Sequence, residues 1–172
     1  MTASISANAA PAGDGAPHQV LTFSLGDENF GVDILRVKEI RGWTPVTKIP
    51  QVPPHVLGVL NLRGSIVPIV DLRIRFGLAQ AEFTPLTVII VLSVKSGNGQ
   101  REFGLVVDSV SDVVDIAAEN LKQTPSLGST ATVEFIQGLA IVAERMLILL
   151  DVDELIRRDM EQMTLSELAG AA

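Results

Sequence analysis

The sequence GVLNLRGSIVPIVDL, residues 58–72, matches GLAIVAERMLILLDV, residues 138–152, without a gap. The two stretches share their first glycine, their apolar pattern and the aspartate that ends the apolar run, Asp71 in one and Asp151 in the other. Similarity among valine-rich strands can arise by chance. The shared glycine and aspartate positions nevertheless favour an internal duplication, a feature that decides the fold wherever it occurs.

A second pair of matching stretches lies in the same order in both halves of the chain. FGVDILRVKEI, which begins at Phe30, aligns with FGLVVDSVSDV, which begins at Phe103, and this alignment places Glu39 opposite Asp112. The offsets of the two pairs are 73 and 80 residues. We therefore interpret the chain as two copies of one unit of about 65–70 residues.

Most of the chain has the pattern of β-structure. Short runs rich in Val, Ile and Leu and bounded by turn residues cover residues 86–94, 103–107 and 146–152, as is typical of strands. Four or five such strands in each unit suffice for a small closed barrel, which has no exposed sheet edge. The sequence predicts a mainly β protein made of two such barrels with a groove between them.

Length and composition indicate the domain organisation. The chain has 172 residues, of which 47% are apolar and 19% charged, as is typical of a globular protein. We predict a flexible leader over residues 1–17, a folded domain over 18–158 with units at about 19–82 and 83–156, and a C-terminal helical segment over 153–169. The leader has no basic residue and no Leu-, Ile- or Val-rich core, which argues against a secretory signal.

The lack of cysteine and of long apolar runs excludes several classes of protein. Without cysteine the chain has no disulfides, no thiolate metal sites and no cysteine nucleophile, and it fits a reducing compartment. The apolar runs are far shorter than the roughly 18 residues of a membrane span. We therefore expect no direct insertion into a membrane.

Charge is unevenly distributed along the chain. The net charge is −7, which argues against nucleic-acid binding through the overall field. Residues 38–75, the basic segment, nevertheless carry a local charge of +4, which leaves −11 for the remainder. The basic residues of this segment are Lys38, Arg41, Lys48, Arg63, Arg73 and Arg75. The pattern predicts either a docking face for an acidic partner or ordinary solvated charges on strands.

Residues arranged for catalysis or cofactor binding are scarce, so we expect neither enzymatic activity nor a cofactor. His18 lies in the leader and His55 beside two prolines, and neither is near a serine in a nucleophile motif. The glycines of GNGQREFG lack the spacing and the following helix of a dinucleotide site. Asp151 and Asp153 could ligate a metal, but helix capping explains them better. Trp43 is either a residue at the edge of the core or an exposed interface anchor.

Arg63 is the residue of the opening stretch that a buried strand does not need. It lies in a turn ahead of the apolar run, and the second copy has Val142, Ala143 and Glu144 in this turn. Core positions are thus repeated, whereas the turn chemistry is not. A guanidinium offers a fixed fork of donors to a carboxylate, and Glu39 is the nearest acid of the first unit that could hold it. We predict a Glu39–Arg63 pair that positions a docking surface.

Together these motifs resemble the CheW-like domain family of bacterial chemotaxis. The resemblance rests on FSLGDENFGVDILRVKEIRG, VLGVLNLRGSIVPIVDLRIRFG and FGLVVDSVSDVV, and it extends from about Gln19 to Leu155. The combination of NLRG, the proline-containing strand and DLR is specific to this family. CheW-like domains also occur in the histidine kinase CheA and in a receiver-bearing adaptor. A chain of 172 residues has no room for a kinase or receiver domain, so a stand-alone adaptor is expected.

The resemblance implies two five-stranded, SH3-like β-barrels and a non-catalytic adaptor of chemotaxis signal transduction. Members of the family bind the cytoplasmic tips of methyl-accepting chemoreceptors and the regulatory domain of CheA. A cytoplasmic protein recruited to membrane receptor arrays is therefore implied. The receptor tip is expected near the groove between the barrels and the kinase at the barrel ends, where the resemblance assigns no residues. The matching receptor-binding positions are Val37, Glu39, Gly58, Arg63, Val88 and Val110.

A small-barrel nucleic-acid-binding protein that uses the basic segment is the competing hypothesis. It fits the local charge of +4 but not the charge of −11 elsewhere. It also fits poorly with the lack of tyrosine and the single tryptophan, because binders of single strands stack bases on aromatic side chains. An enzyme ranks third, since no acid–base pair or nucleophile is found.

Overall fold

The architecture is given by a computed structural model that describes residues 19–78, 82–96, 99–122 and 135–158. Each half of the chain ends in a helix, α1 (Leu72–Arg75) in the first half and α2, described over residues 152–158, in the second. The strands are β1 (Gln19–Leu25), β2 (Glu28–Asp33), β3 (Val37–Gly42), β4 (Val56–Leu62), β5 (Ser65–Asp71), β6 (Val88–Ser96), β7 (Gly99–Val107), β8 (Ser109–Asp115), β9 (Leu121–Lys122), β10 (Ile136–Val142) and β11 (Arg145–Leu150).

The strands form two sheets that exchange hairpins between the halves of the chain. Sheet A has the order β8-β1-β2-β11-β10-β9, and sheet B has the order β3-β6-β7-β5-β4. The first hairpin of the chain, β1–β2, thus lies among strands of the second half. In return, the hairpin β6–β7 lies among strands of the first half. The predicted boundary near residue 83 divides the sequence repeat, whereas both sheets cross it.

Strand registers confirm the predicted duplication. Ile69 pairs in parallel with Gly104 in sheet B, and Leu149 pairs in parallel with Gly31 in sheet A, which reproduces the sequence offsets of 80 and 73 residues. The antiparallel pairs β4–β5 and β10–β11 have equivalent partners and a bulge at the same place. The pairs β3–β6 and β8–β1 also match, again including a bulge. The two units therefore have the same strand pairing at equivalent residues.

The mainly β architecture of two sheets with a C-terminal helix confirms the predicted fold class. Sheet A has six strands because the two-residue β9 adds to its edge. Closure of either sheet into a barrel stays a prediction. The predicted leader over residues 1–17 and the predicted helical segment beyond residue 158 lie outside the described residues. No helix of the described part is long and apolar enough to cross a membrane.

Buried side chains form three clusters, and the largest lies between the two sheets. This central core takes residues from both sheets, such as Phe23 of β1 and Leu92 of β6. Along β6, Ile90 and Leu92 belong to the central core, whereas Ile89 and Val91 belong to a second cluster, as expected for side chains that alternate between the faces of a strand. A third cluster is formed by sheet A on its other face. Apolar side chains of both sheets thus fill the space between the sheets.

A buried ion pair connects the end of β5 to sheet A. Arg73 is 1% exposed and Asp71 0% exposed, and two nitrogens of Arg73 donate to the two carboxylate oxygens of Asp71, each at 3.0 Å. A third nitrogen donates to Asp108 at 3.1 Å, and Asp108 accepts from the backbone N–H of Gly26 in the β1–β2 turn at 2.7 Å. Burial alone would lower the pKa of Arg73, but the hydrogen bonds and charges of Asp71 and Asp108 outweigh it and raise that pKa.

Candidate partner-binding site

The motif NLRG builds the two-residue turn between β4 and β5. Arg63 and Gly64 have positive φ values of 54° and 89°, as in the turns that suit the twist of antiparallel hairpins. The Asn61 side chain accepts a hydrogen bond from the backbone N–H of Gly64 at 2.9 Å, which fixes the turn. Arg63 consequently projects from the tip of the hairpin, and its side chain is 69% exposed.

Glu39 on β3 holds the guanidinium of Arg63, which confirms the predicted pair. Arg63 Nη2 donates to Glu39 Oε1 at 2.7 Å. Arg41, two residues further along β3, donates from Nη1 to Glu39 Oε2 at 3.2 Å. Residues two apart on a strand share a face, so Glu39 lies between two arginines and the group has a net positive charge. An exposed pair of this kind adds little to stability, which leaves orientation of the Arg63 fork as its main effect.

The two arginines also change the proton affinity of Glu39. The hydrogen bond from Arg63 is the main cause that lowers the pKa of Glu39 below the ordinary value of 4.5, and the charges of Arg63 and Arg41 act in the same direction. The pKa of Arg63 is raised in turn by its hydrogen bond to Glu39. Because the carboxyl pKa is lower in the folded state, the pair stabilises the fold above the unfolded-state pKa. That contribution is lost as the pH falls through the folded-state pKa.

We expect Arg63→Gln to raise the titration midpoint of Glu39, because it removes the main hydrogen bond and the nearest positive charge. The measurement is an NMR titration of the Glu39 carboxyl carbon in the wild type and in the variant. Lys38→Gln is the control, since Lys38 is exposed on the same strand and alternation places it on the opposite face. An unchanged midpoint in Arg63→Gln would show that the pair does not persist in solution.

Gly58 is needed for a close approach of backbone and not for a side-chain contact. It is buried in β4 at the bulge, with a φ of 152°. A Cβ at this position would lie 2.1 Å from the carbonyl oxygen of Thr47. Thr47 pairs with Val59 through two backbone hydrogen bonds of 2.9 and 3.0 Å, which holds the segment ahead of β4 against the strand. The space left by Gly58 therefore shapes the first unit.

The three valines of the predicted site lie at the margin of the central core, all of them half-buried. Val37 begins β3 and pairs with Leu92, whereas Val88 begins β6 and pairs with Gly42 at the other end of the same ladder. Val110 lies on β8 in sheet A. Glu39 and Arg63 are therefore in direct contact, while the valines are distributed along two sheets.

Sequence reasoning did not find Arg41 as the second partner of Glu39 or the role of Arg73. The spacing Glu-x-Arg within a predicted strand is the signal for Arg41, because it places both side chains on one face. Trp43, for which two roles were open, is half-buried and packs on the core cluster outside sheet B. It also stacks on the half-exposed ring of Phe83, with the ring centroids 4.1 Å apart. Among the described residues there is no group of three or more His, Cys, Asp or Glu side chains that could hold a metal ion.

Comparisons with known proteins agree with this architecture. The family model of the CheW-like domain matches residues 19–160. The chain is 45% identical to the chemotaxis protein CheW of Klebsiella aerogenes over 84% of its own length and 85% of the relative. It is 43% identical to the chemotaxis protein CheW of Rhizobium meliloti, over 78% and 84% of the two lengths. The crystal structure of the scaffolding protein TtCheW from Thermoanaerobacter tengcongensis matches with a TM-score of 0.71 and 32% identity, covering 78% of this chain and 89% of that chain.

The match to the family model covers most of the chain, and the relatives share far more identity than a common fold alone requires. The repeated units, the NLRG turn and the exchanged hairpins lie within the matched residues. The chain belongs to the CheW-like domain family.

Proposed function

We propose that the protein is a non-catalytic chemotaxis adaptor that couples methyl-accepting chemoreceptors to the histidine kinase CheA. In this role it would support receptor control of kinase activity in signalling arrays, as a cytoplasmic protein recruited to membrane receptors. Membership of the CheW-like family, relatives named chemotaxis protein CheW, and a similar structure described as a scaffolding protein support the proposal.

The observation that carries the proposal is the oriented guanidinium of Arg63 at an exposed hairpin tip. Within the described residues, the bond from Nη2 to Glu39 is the one hydrogen bond of this guanidinium. An arginine has five N–H donors, so most of the fork is available to a carboxylate of the partner. Charge-assisted hydrogen bonds of this kind are roughly twice as strong as neutral ones. A receptor tip that presents an acidic side chain is the matching partner.

The apolar residues of the proposed receptor site would act together with Arg63. A helical receptor tip can lay an apolar face against a groove with polar residues at its rim. Val37, Val88 and Val110 offer half-buried apolar surface at the margin of the central core. Gly58 would contribute through the shape of β4, because it has no side chain and is buried.

Adaptor action needs contacts with two partners at the same time and no chemical step. When one partner is bound, the other is held at a high local concentration, so modest affinities at each contact suffice. Co-purification of the chain with a kinase and a receptor cytoplasmic fragment, scored for kinase activation, tests this function as a whole. A wild-type chain that binds neither fragment would contradict it.

Arg63→Glu is expected to weaken binding of a chemoreceptor cytoplasmic fragment by about tenfold or more. The variant loses a charge-assisted contact, which contributes about 1.5–3 kcal/mol, and a tenfold change corresponds to about 1.4 kcal/mol. The new carboxylate would also repel Glu39. The measurement is the dissociation constant by calorimetry, together with the melting temperature as a check of the fold.

Two further variants make this test specific to the site. Arg101→Glu carries the same change of charge at an exposed position of β7 and should bind like the wild type. The exchange of both charges, Glu39→Arg with Arg63→Glu, should restore part of the affinity if pairing orients the site, as in a double-mutant cycle. Equal binding by Arg63→Glu and the wild type would exclude Arg63 from the receptor site.

A further inference from the structure

The second unit has a counterpart of the Glu39–Arg63 pair in which the arginine is replaced. The matching registers of the two units make Asp112 on β8 the equivalent of Glu39 on β3. They also make Ala143, at the tip of the β10–β11 hairpin, the equivalent of Arg63. The backbone at the two tips is alike, with φ values of 54° at Arg63 and 52° at Ala143. The second unit therefore keeps the acid and the turn and lacks the guanidinium.

A cleft lies in the second unit where the first unit has its arginine side chain. It has a volume of about 420 Å³ and is bordered by both Asp112 and Ala143. Apolar walls and hydrogen-bonding side chains line it, so it could receive both the aliphatic stem and the polar end of a long side chain. Its further lining residues include Val114, Val142, Leu147, Thr22, Asn29 and Ser111.

The carboxylate of Asp112 is held at this cleft without a cationic partner in the described part of the chain. Its backbone is fixed by Thr22, whose hydroxyl donates to the Asp112 carbonyl at 2.9 Å and accepts from the Asp112 N–H at 3.0 Å. Arg145 also borders the cleft, at the start of β11. It is exposed and forms no ion pair with Asp112 within 4.0 Å. The positions of the two units thus differ in whether the acid is paired.

We propose that this cleft, the Asp112 cleft, binds an arginine side chain of a protein partner other than the partner held by Glu39 and Arg63. The inference rests on the proposed adaptor function, which requires a second contact surface. The guanidinium would donate to Asp112, as Arg63 donates to Glu39 in the first unit. Its stem would pack on the apolar walls, and Arg145 at the rim would favour a partner with an acidic residue beside its arginine.

The test uses variants that remove the acid or fill the cleft from within. Asp112→Asn removes the negative charge with little change of shape. Ala143→Arg restores the residue type of the first unit and should pair internally with Asp112, because Arg63 shows that this turn accepts arginine. Each variant is expected to weaken binding of the CheA regulatory domain about tenfold and to leave binding of the receptor fragment unchanged.

Matched controls separate charge and position from general effects. Ala143→Gln adds length without charge, and Asp115→Asn neutralises an exposed acid at the end of β8 that does not border the cleft. Both should bind the kinase domain within twofold of the wild type. In the Asp112→Asn background, Ala143→Arg should cause no further loss. Thermal unfolding checks each fold, and Asp112→Asn remains informative if Ala143→Arg does not fold.

Each remaining outcome overturns the proposal in a distinguishable way. Wild-type affinity of both variants for the kinase domain would exclude the cleft while leaving the adaptor function intact. A loss confined to the receptor fragment would place the cleft within the first partner's site. A change confined to self-association, measured by sedimentation, would make a second copy the occupant. A wild-type chain that binds neither fragment would contradict the adaptor function itself.

Discussion

Arg73→Leu should lower the free energy of unfolding by about 3–5 kcal/mol, because it leaves the carboxylate of Asp71 buried without its partner. Asp71 and Arg73 are both inaccessible to solvent and share two hydrogen bonds of 3.0 Å. The variant also loses the bonds from Arg73 to Asp108 and to the carbonyl oxygen of Glu82. Urea denaturation followed by fluorescence of the single Trp43 measures the effect.

A second substitution shows whether the uncompensated charge causes this loss. Asp71→Asn in the Arg73→Leu background removes the buried charge and keeps an acceptor for the N–H of Arg73, which Asp71 caps at 2.9 Å. The double variant should therefore be more stable than Arg73→Leu alone. A double variant as unstable as the single one would assign the cost to lost packing instead.

Gly58→Ala is the second change expected to have a large effect, with a loss of about 2–4 kcal/mol from steric overlap and backbone strain together. A Cβ would lie 2.1 Å from the carbonyl oxygen of Thr47, and the residue has a positive φ. Backbone atoms cannot swing away as a flexible side chain can, so the segment ahead of β4 would have to move. The measurement is the unfolding midpoint in urea.

Two other glycines provide controls. Gly138 is the equivalent of Gly58 in the second unit, but a Cβ there would be 3.0 Å from the nearest atom, the carbonyl oxygen of Lys122. Gly138→Ala should therefore cost less than Gly58→Ala. Gly42→Ala, at the end of β3 with no atom within 4 Å of a new Cβ, should cost least. The reverse order of stabilities would contradict the steric explanation.

The repeat in the sequence predicted much of the fold because glycine, aspartate and the core positions are fixed by local geometry. Gly58 and Gly138 lie at equivalent bulges, and the N–H groups of Asp71 and Asp151 donate to the equivalent carbonyls of His55 and Phe135. Such positions recur with the structure they serve. The Glu39–Arg63 pair was also predictable, because a turn arginine needs a nearby acid to orient it.

The exchange of hairpins was not predictable from the repeat. A repeat fixes which strands are equivalent, but the strands can pair within one copy or between copies with the same hydrophobic pattern. The choice depends on the central core, in which both sheets bury one face. The Asp112 cleft was missed for a related reason, since Ala143 was compared with Arg63 only as a missing function. Its meaning required the register that brings it beside Asp112.

The parallel pairing of β2 with β11 has a consequence for biosynthesis. Asn29 of β2 pairs with Leu147 of β11, so the edge of the first hairpin cannot be covered until nearly the whole polypeptide has left the ribosome. Until then β2 presents unpaired backbone groups, which attract other chains. Contacts this distant along the chain also form slowly. Messages that end before β11 would therefore yield fragments that depend on chaperones to stay unaggregated.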